Sequence, residues 1–597
     1  MCGIFGFSLH RPLTPSDVDI GLHHLSSLKH RGPDGQGQTT FTEEGVFIGH
    51  RRLAILDTSD RASQPMSRDG LTLAHNGEIY NFVEIRKTLE LAGDTFTTDS
   101  DTEVLLRAWQ RSGASCLDTF DGMFAFALFD GETTNLVTDP FGEKPLYFVQ
   151  NNEGVYYASE PAPLINMLGL KFEPTEPELA AFLTLGFVPP PGTGFRSLQQ
   201  LQPGSHAVIS NGRIIRTVRY WTPSLPNVMS EKPVAATESD IDSVAEAIIE
   251  SLRVRLRSDV PMITFLSSGV DSALVAAIAA KELKVEIPAI TVGFPEEDVA
   301  DESEGATAIA NHLGINHQVI HSDGVSQGDP LQQVMSLYGC AIDNRTAIPA
   351  FEMARLATSS ATVALSGVGG DEIFYGYNRY QLFYEQRRLL SFRGPLRNMA
   401  RWLLKLNGRR TGEALLRRTS SWSYANFKNV GVLDVLEKIS GLNDWGDDFF
   451  NDFGSPPYVA SRHFDLTHVL PGSYIPAIER ASMRVGLEVR TPFLSRELLS
   501  VVDRMDPRSV VGFGQKNIVR RLLSRYLPDH LIFSGKRGFN SPIKPIVQSQ
   551  IEHLRIPWIE DEIVMESRRL HDEGRGSDLF IRLMILDRFA NMNDRLH

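Results

Sequence analysis

The sequence predicts two fold classes in series: an α+β sandwich of mostly antiparallel strands, then an α/β parallel sheet running into a mostly helical C-terminal part. Three observations predict this. Up to about Trp221 the chain reads as short strands between turn residues, with few helices. Residues 222–239, TPSLPNVMSEKPVAATES, are rich in Pro and Ser and carry no apolar period, as a linker does. Beyond them, apolar strand-length runs alternate with helical ones, the pattern of a parallel sheet with helices on its faces. The expected division is 2–221, a linker 222–239, and 240–597.

In the first part, GMFAFALFD (Gly122 to Asp130) is apolar on both alternating faces, which predicts a strand buried between two layers. LTLAHNGEIYNF runs a strand into a turn and a helix beginning near Asn81. SDTEVLLRAWQ has helical spacing, with Ser100 or Asp101 placed to cap its first turn. FVPPPGTGF (Phe187 to Phe195) is a rigid Pro/Gly segment. In the second part IDSVAEAIIESLRVRLR is a long amphipathic helix, and PMITFL, EIPAITVGF and ATVALSG are strands. Between them SALVAAIAAKEL, ESEGATAIANHLG and AFEMARLATSS are helices; from Tyr377 onward the reading is mostly helical, and no repeat is visible.

Composition narrows the function classes. A formal net charge of -14 over 597 residues argues against nucleic acid or an anionic membrane as partner, since both favour a basic face. Three cysteines (Cys2, Cys116, Cys340) in so long a chain do not make a disulfide framework and fit a reducing compartment. No apolar run approaches the roughly 18 residues of a membrane helix, and MCGIFGFSLHRPL lacks the features of a leader. A cytoplasmic location is the expectation.

Cys2 follows the initiator Met. Once Met1 is removed, Cys2 carries a thiol and a free α-amine, and the amine serves as base for its own thiol without a histidine. Met-Cys alone means little. It gains meaning from HRGPDG (His30 to Gly35), HRRLAILD (His50 to Asp57), NGEIYN (Asn76 to Asn81) and Ser100-Asp101, which follow in order. As a set these resemble the class II glutamine amidotransferase domain, an N-terminal-nucleophile hydrolase. The resemblance implies that Cys2 attacks the glutamine side-chain amide and that the Asn76 side chain and Gly77 N–H hold the oxyanion. It also implies that Arg52 pairs with the glutamine carboxylate, Asp101 with its ammonium, and that Glu78 adds a substrate contact.

LSSGVDSA (Leu266 to Ala273) lies between a predicted buried strand and an apolar helix, where Ser267, Ser268, Gly269 and Ser272 offer N–H groups at a helix N-terminus. SGxDS in this context resembles the PP-loop of ATP pyrophosphatases, whereas no GxxxxGK[ST] is present. LSGVGGDEIFYGY (Leu365 to Tyr377) closes a second predicted strand, and VGLEVRTPFL (Val485 to Leu494) and GKRGFNSPI (Gly535 to Ile543) follow. Together these resemble the asparagine synthetase family. That resemblance implies ATP, with Leu266 and Val292 packing on the nucleoside and Ser366 and Gly367 nearby. It implies Mg²⁺ held by Asp271 and Asp371, and Lys536 neutralising charge as an acyl-adenylate forms and collapses. A homodimer is the assembly it suggests.

The acceptor half departs from the family. Val368 stands where the family carries Glu, YGCAIDNRTAIP replaces a DEPF-type run before Ile348-Pro349, and Ser495 replaces Asp. Glu352, Glu372 and Asp343 lie near enough in sequence to supply a missing carboxylate. The expected reaction is glutamine-dependent, ATP-driven amidation of a carboxylate, by default aspartate. The alternative is a different acid, such as a sugar uronic acid or a small peptide acid. An amino-sugar-forming amidotransferase has no use for the PP-loop, and an intramolecular cyclase has none for the glutaminase set.

Overall fold

The computed structural model describes residues 2–226, 235–293, 302–322, 329–390, 456–532 and 556–595, apart from 573–576, together with residues 396, 399 and 554. GKRGFNSPI, and Lys536 with it, lies outside the described residues.

Strand-forming runs of the first part pair antiparallel into two sheets. One is built from β1 (Gly3–Leu9), β2 (Gly35–Phe41), β3 (Val46–Arg52), β8 (Tyr147–Gln150), β9 (Gly154–Ala158) and β10 (Leu198–Gln200). The other holds β4 (Met66–Arg68), β5 (Leu71–Ile79), β6 (Gly122–Phe129), β7 (Thr133–Thr138), β11 (Ser205–Ser210) and β12 (Arg213–Arg219). β1 lies between β9 and β3, and β5 between β4 and β6. β6 is buried along its whole length, as its two apolar faces predict. Ala125, Ala127 and Phe129 meet Ile4, Val46 and Ile48 of the facing sheet. Phe124, Phe126 and Leu128 pack under the helices Phe82–Leu91 and Asp101–Ser112. A strand with helices on one face and a sheet on the other has no polar side to show.

In the second part β13 (Met262–Phe265), β14 (Ala289–Gly293), β15 (His317–His321), β16 (Val363–Leu365) and β17 (Glu488–Arg490) form a parallel sheet of order β15-β14-β13-β16-β17. Strand order reverses at β13: β14 and β15 build to one side, β16 and β17 to the other. The crevice beyond the carboxyl ends of β13 and β16 is therefore the switch point where ligands of open α/β sheets bind. β17 is a strand inside the stretch read as mostly helical. It has three residues, two of them charged, and follows a turn at Gly486 (φ 70°), so no strand period announces it.

The helix Glu238–Arg255 begins two residues before the expected boundary, because Thr237 and Asp240 form a reciprocal capping box. The last helix, Ser577–Arg595, returns to the first part: Phe589 stacks on Phe172 with ring centroids 4.4 Å apart, and Arg582 donates to the Leu183 carbonyl at 2.8 Å. One apolar core runs from Phe5 and Phe7 through Leu266 and Leu274 to Phe589.

Candidate active site

At the head of β1, Cys2 is buried, and its thiol points at the Leu53 carbonyl 3.8 Å away. Burial pushes the thiol above its usual range, and the bond to the Leu53 carbonyl pulls the other way. The Cys2 N–H donates to Asn76 Oδ1 at 2.9 Å. That bond fixes the amide of Asn76, on β5, so that Nδ2 stands as a fully buried donor with no partner among the described residues. A buried orphan donor is costly unless something else takes it.

Gly77 follows with φ 137°, and a Cβ there would lie 1.9 Å from the Met123 carbonyl oxygen, so only glycine fits. Asp101 opens the helix that Ser100 caps, through a bond from the Thr102 N–H to Ser100 Oγ at 3.1 Å. Asp101 Oδ2 accepts the Ile79 N–H at 2.8 Å, which ties the helix start to the end of β5 beside Glu78. Glu78 is buried, and burial, then Glu488 and Asp101, push its carboxyl well above the usual range. Arg52 ends β3. Its guanidinium is held by the Ser59 carbonyl at 2.8 Å and by that of Asp57, and among the described residues it has no carboxylate partner. The fold thus gathers Cys2, Asn76, Gly77, Glu78 and Asp101 around the ends of β1 and β5, with Arg52 on the neighbouring strand.

At the switch point, β13 leads into Leu266–Gly269 and then the helix Val270–Lys281. Ser272 Oγ accepts the Ser267 N–H at 3.1 Å and lies 2.9 Å from Ser267 Oγ, while the Gly269 N–H donates to Ser267 Oγ at 3.1 Å. These bonds curl the loop over the helix N-terminus, with Ser268 on its rim. The Leu266 N–H donates to the Ile290 carbonyl at 3.0 Å, which seats Leu266 beside β14, the strand that carries Val292. Beyond β16, Ser366 donates its N–H to the Arg490 carbonyl at 2.9 Å. A Cβ on Gly367 would come within 2.9 Å of both Asp271 Cβ and the Ser272 N, so the two loops touch only because that residue is glycine.

Asp271 and Asp371 converge on one cation, Lys516. Its Nζ pairs with Asp271 and lies 2.9 Å from Asp371 Oδ1. Burial works against the charge of Lys516, yet the two carboxylates hold it above the usual lysine range. Lys516 belongs to none of the motifs read from the sequence. Nothing in the sequence marks it: it precedes the helix Asn517–Leu523 with φ 53°, at a helix N-terminus that disfavours cations. Val368 sits in the turn between β16 and Asp371. Of the three substitute carboxylates, Glu352 is bound to Arg355 and Ser322, and Asp343 pairs with Arg345 and Arg582. Glu372 alone adjoins the aspartates; it is buried, accepts from the Tyr377 hydroxyl at 2.6 Å, and is pushed up to about 7 by burial and then by Asp371.

Residues 1–221 match the family described as Glutamine amidotransferase domain, and residues 243–585 the family described as Asparagine synthase. Among curated relatives, asparagine synthetase (glutamine-hydrolyzing) 1 of Bacillus subtilis strain 168 is 29% identical over 595 residues, covering 95% of this chain and 90% of its own. A putative asparagine synthetase (glutamine-hydrolyzing) of Mycobacterium tuberculosis H37Rv is 30% identical over 583 residues, covering 91% and 88%. A probable one from Schizosaccharomyces pombe is 29% identical over 587 residues, covering 91% and 85%. With both families matched in series over most of its length and the two half-sites described above, this chain belongs to the glutamine-hydrolysing asparagine synthetase family of ATP-using, amide-forming ligases.

Proposed function

We propose that residues 2–221 hydrolyse glutamine through a Cys2 thioester and that residues 240–597 amidate a carboxylate, with aspartate as the first acceptor. The observation that carries the reading is the presence in one chain of a buried, unpartnered Asn76 Nδ2 beside Cys2 and of a carboxylate–lysine cluster at a sheet switch point. The α-amine takes the Cys2 proton, Sγ attacks the amide carbon, and Asn76 Nδ2 with the Gly77 N–H receives the oxyanion. Arg52 and Asp101 hold the two charged ends of glutamine, with Glu78 beside them. Ammonia passes inside the protein to the second half.

There the loop Ser267–Ser272 and Ser366–Gly367 cradle ATP, with Leu266 and Val292 against the nucleoside. Asp271 and Asp371 are hard oxygen donors aimed at one point, a set that fits Mg²⁺, which neutralises phosphate charge. Lys516, freed from the aspartates, then faces the phosphates. The acceptor carboxylate attacks the α-phosphorus, pyrophosphate leaves, and ammonia displaces AMP from the acyl-adenylate. The free, buried cysteines agree with a cytoplasmic setting.

Val368 favours a second reading, in which another acid is the preferred acceptor, since it puts an apolar branched side chain where the family resemblance implies a carboxylate. The test is ATP–pyrophosphate exchange over a panel of carboxylic acids, with wild type and Val368→Glu. Aspartate giving the highest kcat/KM in the wild type is the expected result. A better acid in the panel, with aspartate recovering in Val368→Glu, establishes the second reading. No exchange with any acid, from an enzyme that also releases no pyrophosphate with glutamine present, contradicts both.

A further inference from the structure

β17 belongs to the sheet that carries the ATP loops, yet its charged side chains face the glutamine pocket. Arg490 is fully buried. Its Nε donates to Glu488 Oε1 at 2.7 Å, and its Nη1 to the carbonyls of Arg255 at 2.8 Å and Arg257 at 2.6 Å. Three bonds to fixed acceptors leave the guanidinium one orientation. In it, Nη2 has no hydrogen-bond partner among the described residues and stands 3.6 Å from Glu78 Oε1. That spacing is an ion pair without a hydrogen bond, so it holds the Glu78 carboxylate by charge and leaves its lone pairs for a ligand. The guanidinium also lies 5.4 Å from the centroid of the Tyr80 ring, which closes the far side.

We propose that Arg490 is a positioning residue of the glutamine site, contributed by the ATP-binding half: it holds the Glu78 carboxyl in place for the ammonium of bound glutamine and supplies the positive charge that favours its ionised form. This rests on the glutaminase reading above. Glu78 is crowded by its own sign, with Glu488 on β17 and Asp101 at the head of its helix. Among the described residues the positive group facing it is Arg490. Without Arg490, burial and two neighbouring carboxylates act with less opposition, and the Glu78 carboxyl is pushed further toward its neutral form. A neutral acid no longer attracts an ammonium, so substrate binding suffers while the thiol and oxyanion donors stay where they are. The sequence motif holds no hint of this. Glu78 belongs to NGEIYN and Arg490 to VGLEVRTPFL, and only the fold makes them neighbours.

The experiment compares wild type, Arg490→Lys and Arg490→Gln as full-length enzymes, reading glutamate release against glutamine and pH. Arg490→Gln should raise KM for glutamine about tenfold with kcat within about threefold, the signature of lost ground-state binding. The acid limb of kcat/KM should move to higher pH by about one unit, because a cation that favoured the ionised carboxylate has gone. Arg490→Lys, which keeps the charge, should fall between. Pyrophosphate release driven by ammonium should stay near wild type in both. Since a buried arginine variant can fail to fold, a double-mutant cycle with Glu78→Gln and Arg490→Lys supplies an independent readout, with the second change expected to add little to the first. Wild-type KM and pH limb in a folded Arg490→Gln, or fully multiplicative effects in the cycle, overturn the proposal. Failure of the glutaminase reading looks different: the wild type itself then releases no glutamate.

Discussion

Burial keeps the Cys2 thiol protonated. A base must therefore take the proton as attack begins, and the oxyanion that follows needs a donor already in place. Asn76 can supply it because its Oδ1 is occupied by the Cys2 N–H and cannot swap places with Nδ2. Asn76→Ala should lower kcat for glutamine hydrolysis by about 10²–10³-fold. Ammonium-driven pyrophosphate release should persist, and a loss of less than about threefold in steady-state glutamate release would show that Nδ2 is not the oxyanion donor. At this scale the sequence was legible where residues come as ordered sets: NGEIYN and SGxDS each restrict the others. Lys516 was not legible, since a single lysine ahead of a helix looks like surface until Asp271 and Asp371 are seen to close on it.

At the scale of elements, β5 does two things that depend on Gly77. It pairs with β6, Gly77 opposite Phe124, and it delivers Asn76 and Glu78 on either side of a residue whose φ of 137° no branched chain tolerates. Gly77→Ala would press a methyl into the Met123 carbonyl, so a loss of about 2–3 kcal/mol is expected from strain and displaced pairing. A thermal melt unchanged by this substitution would mean that β5 gives way easily and does not define the pocket. The buried strand β6 was readable from its unbroken apolar run, the helix after Ser100 from its cap, and the strands and helices beyond residue 240 from their alternation. β17 was not, because three residues flanked by a turn carry no period, and its place is set by β16 and by charges met only in the fold.

Across the whole molecule, buried charge joins the two halves. Arg31 donates to the Cys2 carbonyl at 3.0 Å and to Glu160 at 2.8 Å, and it pairs with Glu479, 448 positions along the chain. Arg255 pairs with Asp121 at 3.2 Å, and Arg257 grips both oxygens of Glu84. Removing one partner of the fully buried Arg31–Glu479 pair costs about 3–5 kcal/mol, so the halves are held in a defined relation. Composition and motif order reveal two chemistries but not this joint, because its partners lie hundreds of residues apart and each reads alone as a surface charge. Two separate sites in one body is the central claim, and Cys2→Ala tests it most directly, with pyrophosphate and amide formation measured using glutamine and then ammonium as nitrogen source. In Cys2→Ala, glutamine should no longer support amide formation while ammonium supports it at near wild-type rate. A well-folded Cys2→Ala protein that has lost the ammonium reaction as well, or that still uses glutamine, would contradict it.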